Sequence, residues 1–230
     1  TEVCHSQMWH ARMRTLRVAL LCLLAFPALA RAEAATITSR EVPLHGERAL
    51  AAVTPSRFDL VGLHWQGPGT VSFRTRTLGG RWSPWRQAAR EAEDLPDARS
   101  PEAAPRHGWR LGNPWWTGPA NAIQYRLTGN VTRLKAWFVS SPELRVPSRA
   151  LSLAGSPPLV PRSGWTADET IRRGTPAYAD TIRFAVVHHT AGASDYTQAE
   201  AAAIVRGIQL YHVQGNGWAD VGYNFLVDKY

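Results

Sequence analysis

The sequence feature that most constrains the fold is the periodicity of residues 181–230, which changes twice. Apolar residues alternate along 182–187, which is typical of a half-buried strand. His188 and His189 end this strand, and their rings are expected to point to opposite faces because successive side chains do so. A helical stripe follows, and a second alternating stretch covers 221–227. The segment is therefore predicted to fold as strand, helix, strand.

Local signals place the helix between the two predicted strands. Thr197 and Glu200 have the spacing of a capping box at a helix N-terminus. Gly215 and Gly217 are expected to end the helix. One face of the helix carries an apolar stripe formed by Ala201, Ile204, Val205, Ile208 and Tyr211.

Three motifs of this segment, VVHHTAG, the Tyr211-His212 pair and GWADVGYNFLVD, resemble in order and spacing the peptidoglycan recognition protein family. This family is also the zinc-dependent N-acetylmuramoyl-L-alanine amidase type. The resemblance implies that residues 162–230 are the N-terminal part of an α/β domain, a mixed sheet with flanking helices. It also implies an exported enzyme that hydrolyses the amide bond between N-acetylmuramic acid and L-alanine in the bacterial cell wall.

The resemblance implies roles for individual residues. His188 would be a Zn²⁺ ligand, with a water at the open position, and Tyr223 would be the catalytic tyrosine beside that water. From the residues alone, a histidine that ends an apolar strand is more often structural, and Tyr223 also fits a buried strand tyrosine. The residues implied to bind the substrate are His212, Gly217, Trp218, Thr190 and Asn224.

The resemblance also indicates the substrate and the limits of this chain. The Gly217-Trp218 pair tends in the family to accompany peptidoglycan or muropeptides with meso-diaminopimelate stems. The remaining zinc ligands are expected beyond Tyr230, so we expect the 230 residues alone to be inactive. A non-catalytic peptidoglycan recognition protein, which keeps the groove but lacks a ligand, is the alternative.

Residues 1–32 are predicted to contain a Sec-type secretory signal peptide after a short upstream stretch. Its apolar run is too short to cross a membrane, so we expect a secreted or cell-wall protein without a transmembrane segment. Cys4 and Cys22 both lie in this part, which leaves the rest of the chain without cysteine. From residue 33 onward the chain has 22 basic and 17 acidic residues, and this modest positive charge suits an anionic wall. The absence of a basic run with interleaved aromatics argues against nucleic acid.

Residues 36–140 are predicted to form an all-β, sandwich-like domain, because short alternating segments are separated by glycine-containing turns. Seven of its residues are tryptophans, which indicate either a core of large aromatics, the interpretation we favour, or a surface that stacks on sugars. In the second case the domain would bind wall carbohydrate. Residues 141–161 are predicted to be a proline-rich linker to the third region.

Overall fold

The computed structural model describes residues 34–90, 95–96, 107–143, 155, 157–176, 178, 180–183, 185–190 and 192–230. The predicted signal peptide lies outside these residues. Ala32–Tyr230 fold as one compact unit. The predicted division of this stretch into a β-rich domain, a linker and a third region stays a prediction.

The described residues are mostly β-sheet, with one α-helix. All strand pairings are antiparallel, and the strand order is β1-β7-β2-β6-β3-β4, with β5 paired to one end of β2. The strands are β1 (Thr36–Glu41), β2 (Phe58–Gln66), β3 (Thr70–Thr77), β4 (Arg86–Gln87), β5 (Trp109–Leu111), β6 (Trp115–Thr128) and β7 (Arg133–Ser140).

The alternating sequence of β3 shows why these strands form. Val71 and Phe73 are buried in the main core, whereas Arg74 and Arg76 lie on the opposite face. The strands are connected by hydrogen bonds in a single sheet. The reason is the 14-residue β6, which pairs with β2 through its first half and with β3 through its second half.

A second apolar cluster covers the other face of β2 and joins the sheet to helix α1 (Gln198–Leu210). Leu60 and Val139 of the sheet pack there with Ala203 and Ile208 of the helix. The predicted helix is thus present, and it begins with the predicted capping box at Thr197. We call this contact between sheet and helix the seam.

The predicted α/β architecture of residues 162–230 is not shown. The described residues of this region contain α1, a π-helical turn (Tyr211–Gly215) and two 3₁₀ turns (Arg162–Trp165 and Glu169–Ile171), but no strand. Phe184 lies outside the described residues. The two predicted strands do not form among these described residues, because alternation marks a strand only where another strand pairs with it. Here the apolar side chains are exposed, namely those of Ile182, Val186, Val187, Phe225 and Val227.

The tryptophans of the β-rich region only partly follow the core interpretation. Trp65 and Trp116 are buried, with exposed fractions of 3% and 5%. The five others are half-buried, and of these Trp115 packs against the main core and Trp137 against the second cluster. The remaining three are Trp82, Trp85 and Trp109. Separately, no α-helix among the described residues has the length and apolar character needed to cross a bilayer.

Candidate functional site

The end of helix α1 brings the predicted Tyr211-His212 pair into the interior. The chain widens there into the π-helical turn, in which the amide of Asn216 donates to the carbonyl of Tyr211 at 2.9 Å. Both side chains of the pair are fully buried. Such a turn shifts the side chains that follow it relative to a regular helix, and π-turns are frequent at functional sites.

Tyr211 anchors the turn to the sheet at Gly62. A Cβ at Gly62 would lie 2.0 Å from Cε2 of Tyr211, so only glycine leaves room for the ring. The Tyr211 hydroxyl donates to the carbonyl of Gly112 at 2.7 Å and lies 3.0 Å from Nε2 of His64. The aromatic ring therefore fills the seam with its polar group bonded on both sides.

His64 of β2 is the polar centre of the seam. Its Nδ1 accepts from the indole nitrogen of Trp137 at 3.2 Å, so the proton lies on Nε2, which is 3.0 Å from Oδ1 of Asn216. Burial lowers the pKa of His64 to about 4; the bond to Asn216 opposes this shift, and nearby Lys135 adds to it. His64 is therefore neutral at physiological pH.

Four of the predicted site residues form an aromatic cluster beyond the seam, comprising His188, His212, Trp218 and Tyr223. The rings of Trp218 and His212 have centres 4.4 Å apart, and Tyr223 lies 5.6 Å from His212 and 5.5 Å from His188. His212 and Trp218 are buried, whereas His188 and Tyr223 are half-buried. The structure thus brings together residues from separate segments, as a shared site requires.

Backbone contacts hold this aromatic cluster. The amide of Gly222 donates to Nδ1 of His212 at 3.1 Å, which puts the ring proton of His212 on Nε2. A Cβ at Gly222 would lie 2.6 Å from the Trp218 ring. Close approach to the indole thus explains the glycine that precedes Tyr223.

Position 217 requires a glycine because of its backbone conformation. Its φ is +83°, a left-handed value that other residues rarely adopt, and its carbonyl accepts from Arg173 at 3.2 Å. This conformation gives a physical reason for the glycine that does not depend on a ligand.

The other two predicted binding residues are placed differently. The carbonyl of Thr190 lies 3.5 Å from Nδ2 of Asn113 in the β-rich region, and Thr190 is half-buried. Asn224 is exposed, as is His189, the neighbour of His188. The structure therefore does not bring Asn224 into the aromatic cluster.

Asp220 organises the loop that carries Trp218. Its carboxylate accepts from the backbone amide of Val221 at 2.8 Å and pairs with Arg162 at 3.1 Å. Gln209 of α1 also donates to it at 3.3 Å. Asp220 thereby connects the first residue of the resemblance, Arg162, to the helix and the loop.

The described residues do not by themselves make a zinc site, since they contain no group of three His, Cys, Asp or Glu side chains that could hold a metal. His188 nevertheless has a suitable tautomer. Its Nδ1 lies 3.1 Å from the carbonyl of His189, which only accepts, so the lone pair is on Nε2. Zinc binding by His188 therefore stays a prediction.

Sequence reasoning missed three contributors to this region: His64, Asn216 and Asp220. The signal for His64 was a glycine and a histidine two residues apart on one face of a mostly apolar strand, β2. Asn216 had no local signal, because its contact with His64 spans 152 positions of the chain.

Comparisons with known proteins found one family match and several shorter similarities. Residues 27–151, more than half of the chain, match the family described as Rv3811 N-terminal galactose-binding domain-like. The chain belongs to this family.

Short stretches of the chain are similar to peptidoglycan recognition proteins. Peptidoglycan-recognition protein SC1a/b of Drosophila simulans is 42% identical over 23% of this chain and 29% of its own length. Peptidoglycan-recognition protein SC2 of the same species is 38% identical over 30% and 36%. Peptidoglycan recognition protein 1 of Bos taurus is 48% identical over 21% and 25%. The chain thus spans about a quarter to a third of these relatives, and no solved structure matches it.

Proposed function

We propose that this protein binds peptidoglycan through the aromatic cluster and the loop around it. The observation that carries this proposal is the convergence of His188, His212, Trp218 and Tyr223 at ring distances of 4.4–5.6 Å. The partial similarity to proteins named for peptidoglycan recognition supports the ligand class. Residues 1–32 would direct the protein to the cell wall as a secretory signal.

Within this site the side chains differ in how far they are buried, and we assign their roles accordingly. The half-buried rings of His188 and Tyr223 contact the stem peptide, while the buried His212 and Trp218 support them from behind. A ligand with a meso-diaminopimelate stem is the form we propose, received beside the exposed Gly217. An aromatic surface with a few fixed polar atoms is typical of small-ligand sites.

The test compares two adjacent histidines. His188→Ala is expected to weaken binding of a soluble muramyl tripeptide at least about fivefold, as truncation of a contacting residue does. His189→Ala is the matched control, because it removes the same side chain from an exposed neighbouring position. Isothermal titration calorimetry measures the affinity of each variant for the diaminopimelate and the lysine forms of the tripeptide. Equal affinity of both variants and the wild type would contradict the proposal.

A zinc-dependent N-acetylmuramoyl-L-alanine amidase is the second function we propose, for the whole protein. It is favoured by the lone pair on Nε2 of His188 and by the phenol of Tyr223, whose ring lies 5.5 Å away. Zinc at such a site lowers the pKa of a bound water to about 7. The further ligands would come from outside the described residues.

Metal content tests the amidase proposal separately from binding. The full-length gene product is expected to hold one zinc ion per chain and to release stem peptides from purified wall. His188→Ala is expected to lose the metal, and His189→Ala to keep it. Stem-peptide binding with neither zinc nor release would leave a non-catalytic recognition protein.

A further inference from the structure

Each of the five half-buried tryptophans of the β-rich region stacks with a cationic side chain. Arg133 lies 4.8 Å from the ring centre of Trp109, and Lys135 lies 4.2 Å from that of Trp137. Arg86 lies 3.7 Å from the ring centre of Trp115. The two remaining tryptophans share three arginines on the outer face of β3 and β6.

These five residues form a continuous alternating stack, which we call the arginine ladder: Arg76, Trp82, Arg74, Trp85 and Arg126. The guanidinium carbons of Arg76 and Arg74 lie 5.7 and 4.8 Å from the Trp82 ring centre. Those of Arg74 and Arg126 lie 4.9 and 4.1 Å from the Trp85 ring centre. Every ring is thus covered by cations, and such stacks are attractive through the ring quadrupole.

The sheet fixes the positions of the ladder arginines. Arg74 and Arg76 are two residues apart on β3 and therefore share a face, about 7 Å apart. Arg126 of β6 stands opposite Ser72, on the same face of the neighbouring strand. The indoles come from the segment before β4, where the hydroxyl of Ser83 accepts from the amide of Thr75 at 3.1 Å.

The ladder carries three positive charges without counter-ions among the described residues. The Nε atoms of Arg74 and Arg76 donate to neutral amide oxygens, Oε1 of Gln124 at 2.8 Å and Oδ1 of Asn121 at 3.2 Å. None of the three arginines has an ion pair with a carboxylate in the part of the chain that the structure describes.

Arg133 on the same sheet provides a comparison, because its charge is neutralised by a counter-ion. It also stacks on a tryptophan, Trp109, but it makes a two-pronged bond to Glu41 at 2.7 and 3.0 Å. The stacking is the same in both places, and the counter-ion is the difference.

We propose that the arginine ladder is a second docking surface for peptidoglycan and that it binds the free carboxylates of the stem peptides along a glycan strand. The choice of peptidoglycan as the ligand rests on the proposed function. A stacked guanidinium keeps its in-plane N–H donors for a carboxylate, which it binds in a planar, two-pronged geometry. Stacking on neutral sugars is not the mode of binding, because the guanidinium groups already cover the indole faces.

The repeat of the ladder suits a polymer rather than a single small ligand. Three cations on two adjacent strands present a row, whereas the aromatic cluster receives one stem peptide. Both surfaces lie on the same compact unit. When the ladder holds one stem peptide, the aromatic cluster therefore meets a neighbouring stem at a raised effective concentration. The ladder thereby adds affinity for intact wall without changing the affinity for a soluble fragment.

The experiment measures co-sedimentation of the full chain with insoluble peptidoglycan from which phosphate polymers have been removed. The triple variant Arg74→Gln/Arg76→Gln/Arg126→Gln is expected to bind about tenfold more weakly, and Arg126→Gln about threefold, since each exposed ion pair contributes a few-fold. Arg133→Gln is the matched control and is expected to bind as the wild type does. Blocking the wall carboxylates as amides is expected to remove the difference between the wild type and the triple variant.

Soluble muramyl tripeptide, titrated into the same variants, separates this proposal from the proposed function. Unchanged tripeptide affinity with weakened wall binding supports the ladder. Equal losses for Arg133→Gln and Arg126→Gln would overturn it by showing a non-specific charge effect. Wall binding that is unaffected in the triple variant, or by amidation, would also overturn it. If the wild type sediments with wall but does not bind tripeptide, the proposed binding at the aromatic cluster is wrong, whereas the proposed binding at the arginine ladder stands.

Discussion

The sheet and the C-terminal region use the same alternating sequence pattern with opposite results. In β3, Val71 and Phe73 are buried against the core, whereas Val187 and Val227 of the C-terminal region are more than nine-tenths exposed. The difference is the presence of hydrogen-bonded neighbours, since β3 lies between β4 and β6. Alternation therefore specifies which face is apolar, but a partner strand decides whether that face is buried.

The C-terminal region is nevertheless held to the sheet at its helix. Tyr211, Ala203 and Ile208 are buried in the seam, and the buried Arg206 donates to the hydroxyls of Ser141 and Thr166. The position of the aromatic cluster thus depends on the contacts that α1 and the π-turn make with the sheet. Changes at the seam test this dependence directly.

The largest effect is expected for Gly62→Ala. The added methyl group overlaps the Tyr211 ring, because the Cβ position lies 2.0 Å from Cε2, so the helix end must move away from the sheet. We expect the free energy of unfolding to fall by about 3 kcal/mol, as overpacking of a filled site does. Urea denaturation followed by tryptophan fluorescence measures the change.

Gly79→Ala is the matched control for Gly62→Ala. A Cβ at Gly79 has only Thr77 Oγ1 nearby, at 3.9 Å, and an exposed position of this kind changes stability by less than about 0.5 kcal/mol. If both variants have the stability of the wild type, Tyr211 does not pack against Gly62 in solution, and the two regions are not coupled there.

How far the sequence predicted this fold depends on the range of the interactions. The capping box at Thr197 and Glu200 was predicted correctly, because all of its atoms lie within one helical turn. The strands β2, β3 and β7 were also evident from local alternation. β1 was not recognised, because it lies in a segment without clear alternation and is defined by its pairing with β7.

The candidate site was predicted in part for the same reason. The motifs of the C-terminal region indicated His188, His212, Trp218 and Tyr223, and the structure brings these four together. The network around His64 joins positions far apart in the chain, so no local pattern indicated it. The three arginines of the ladder were equally hidden, since only the pairing of β3 with β6 shows that they share a face.

The pH dependence of stability is the second prediction. His64 is neutral in the fold with a pKa of about 4, whereas an unfolded histidine has a pKa of about 6.5. The unfolded state therefore binds a proton first as the pH falls. The stability contributed by His64 is complete above about pH 6.5 and is lost progressively down to about pH 4, by about 3 kcal/mol in total.

Urea denaturation between pH 4 and pH 8, compared for the wild type and His64→Gln, isolates this contribution. The glutamine variant is expected to be less stable at pH 8 but to lose less stability on acidification, because it cannot be protonated in the unfolded state. Parallel pH profiles would show that His64 is solvated in the native state and that the seam is open to water.

The smallest effect concerns the other end of the helix, where Trp116 of β6 donates to Glu200 at 3.1 Å. Burial raises the pKa of Glu200, but the hydrogen bonds from Thr197 and Trp116 outweigh it and lower that pKa overall. A double-mutant cycle of Glu200→Ala and Trp116→Phe is expected to give a coupling of about 1.5 kcal/mol, typical of a hydrogen bond to a charged group. Additive losses would mean that the contact of Trp116 with Glu200 does not join the helix to the sheet in solution. In that case the buried side chains of the helix and of the π-turn, such as Ala203 and Tyr211, would hold the seam without it.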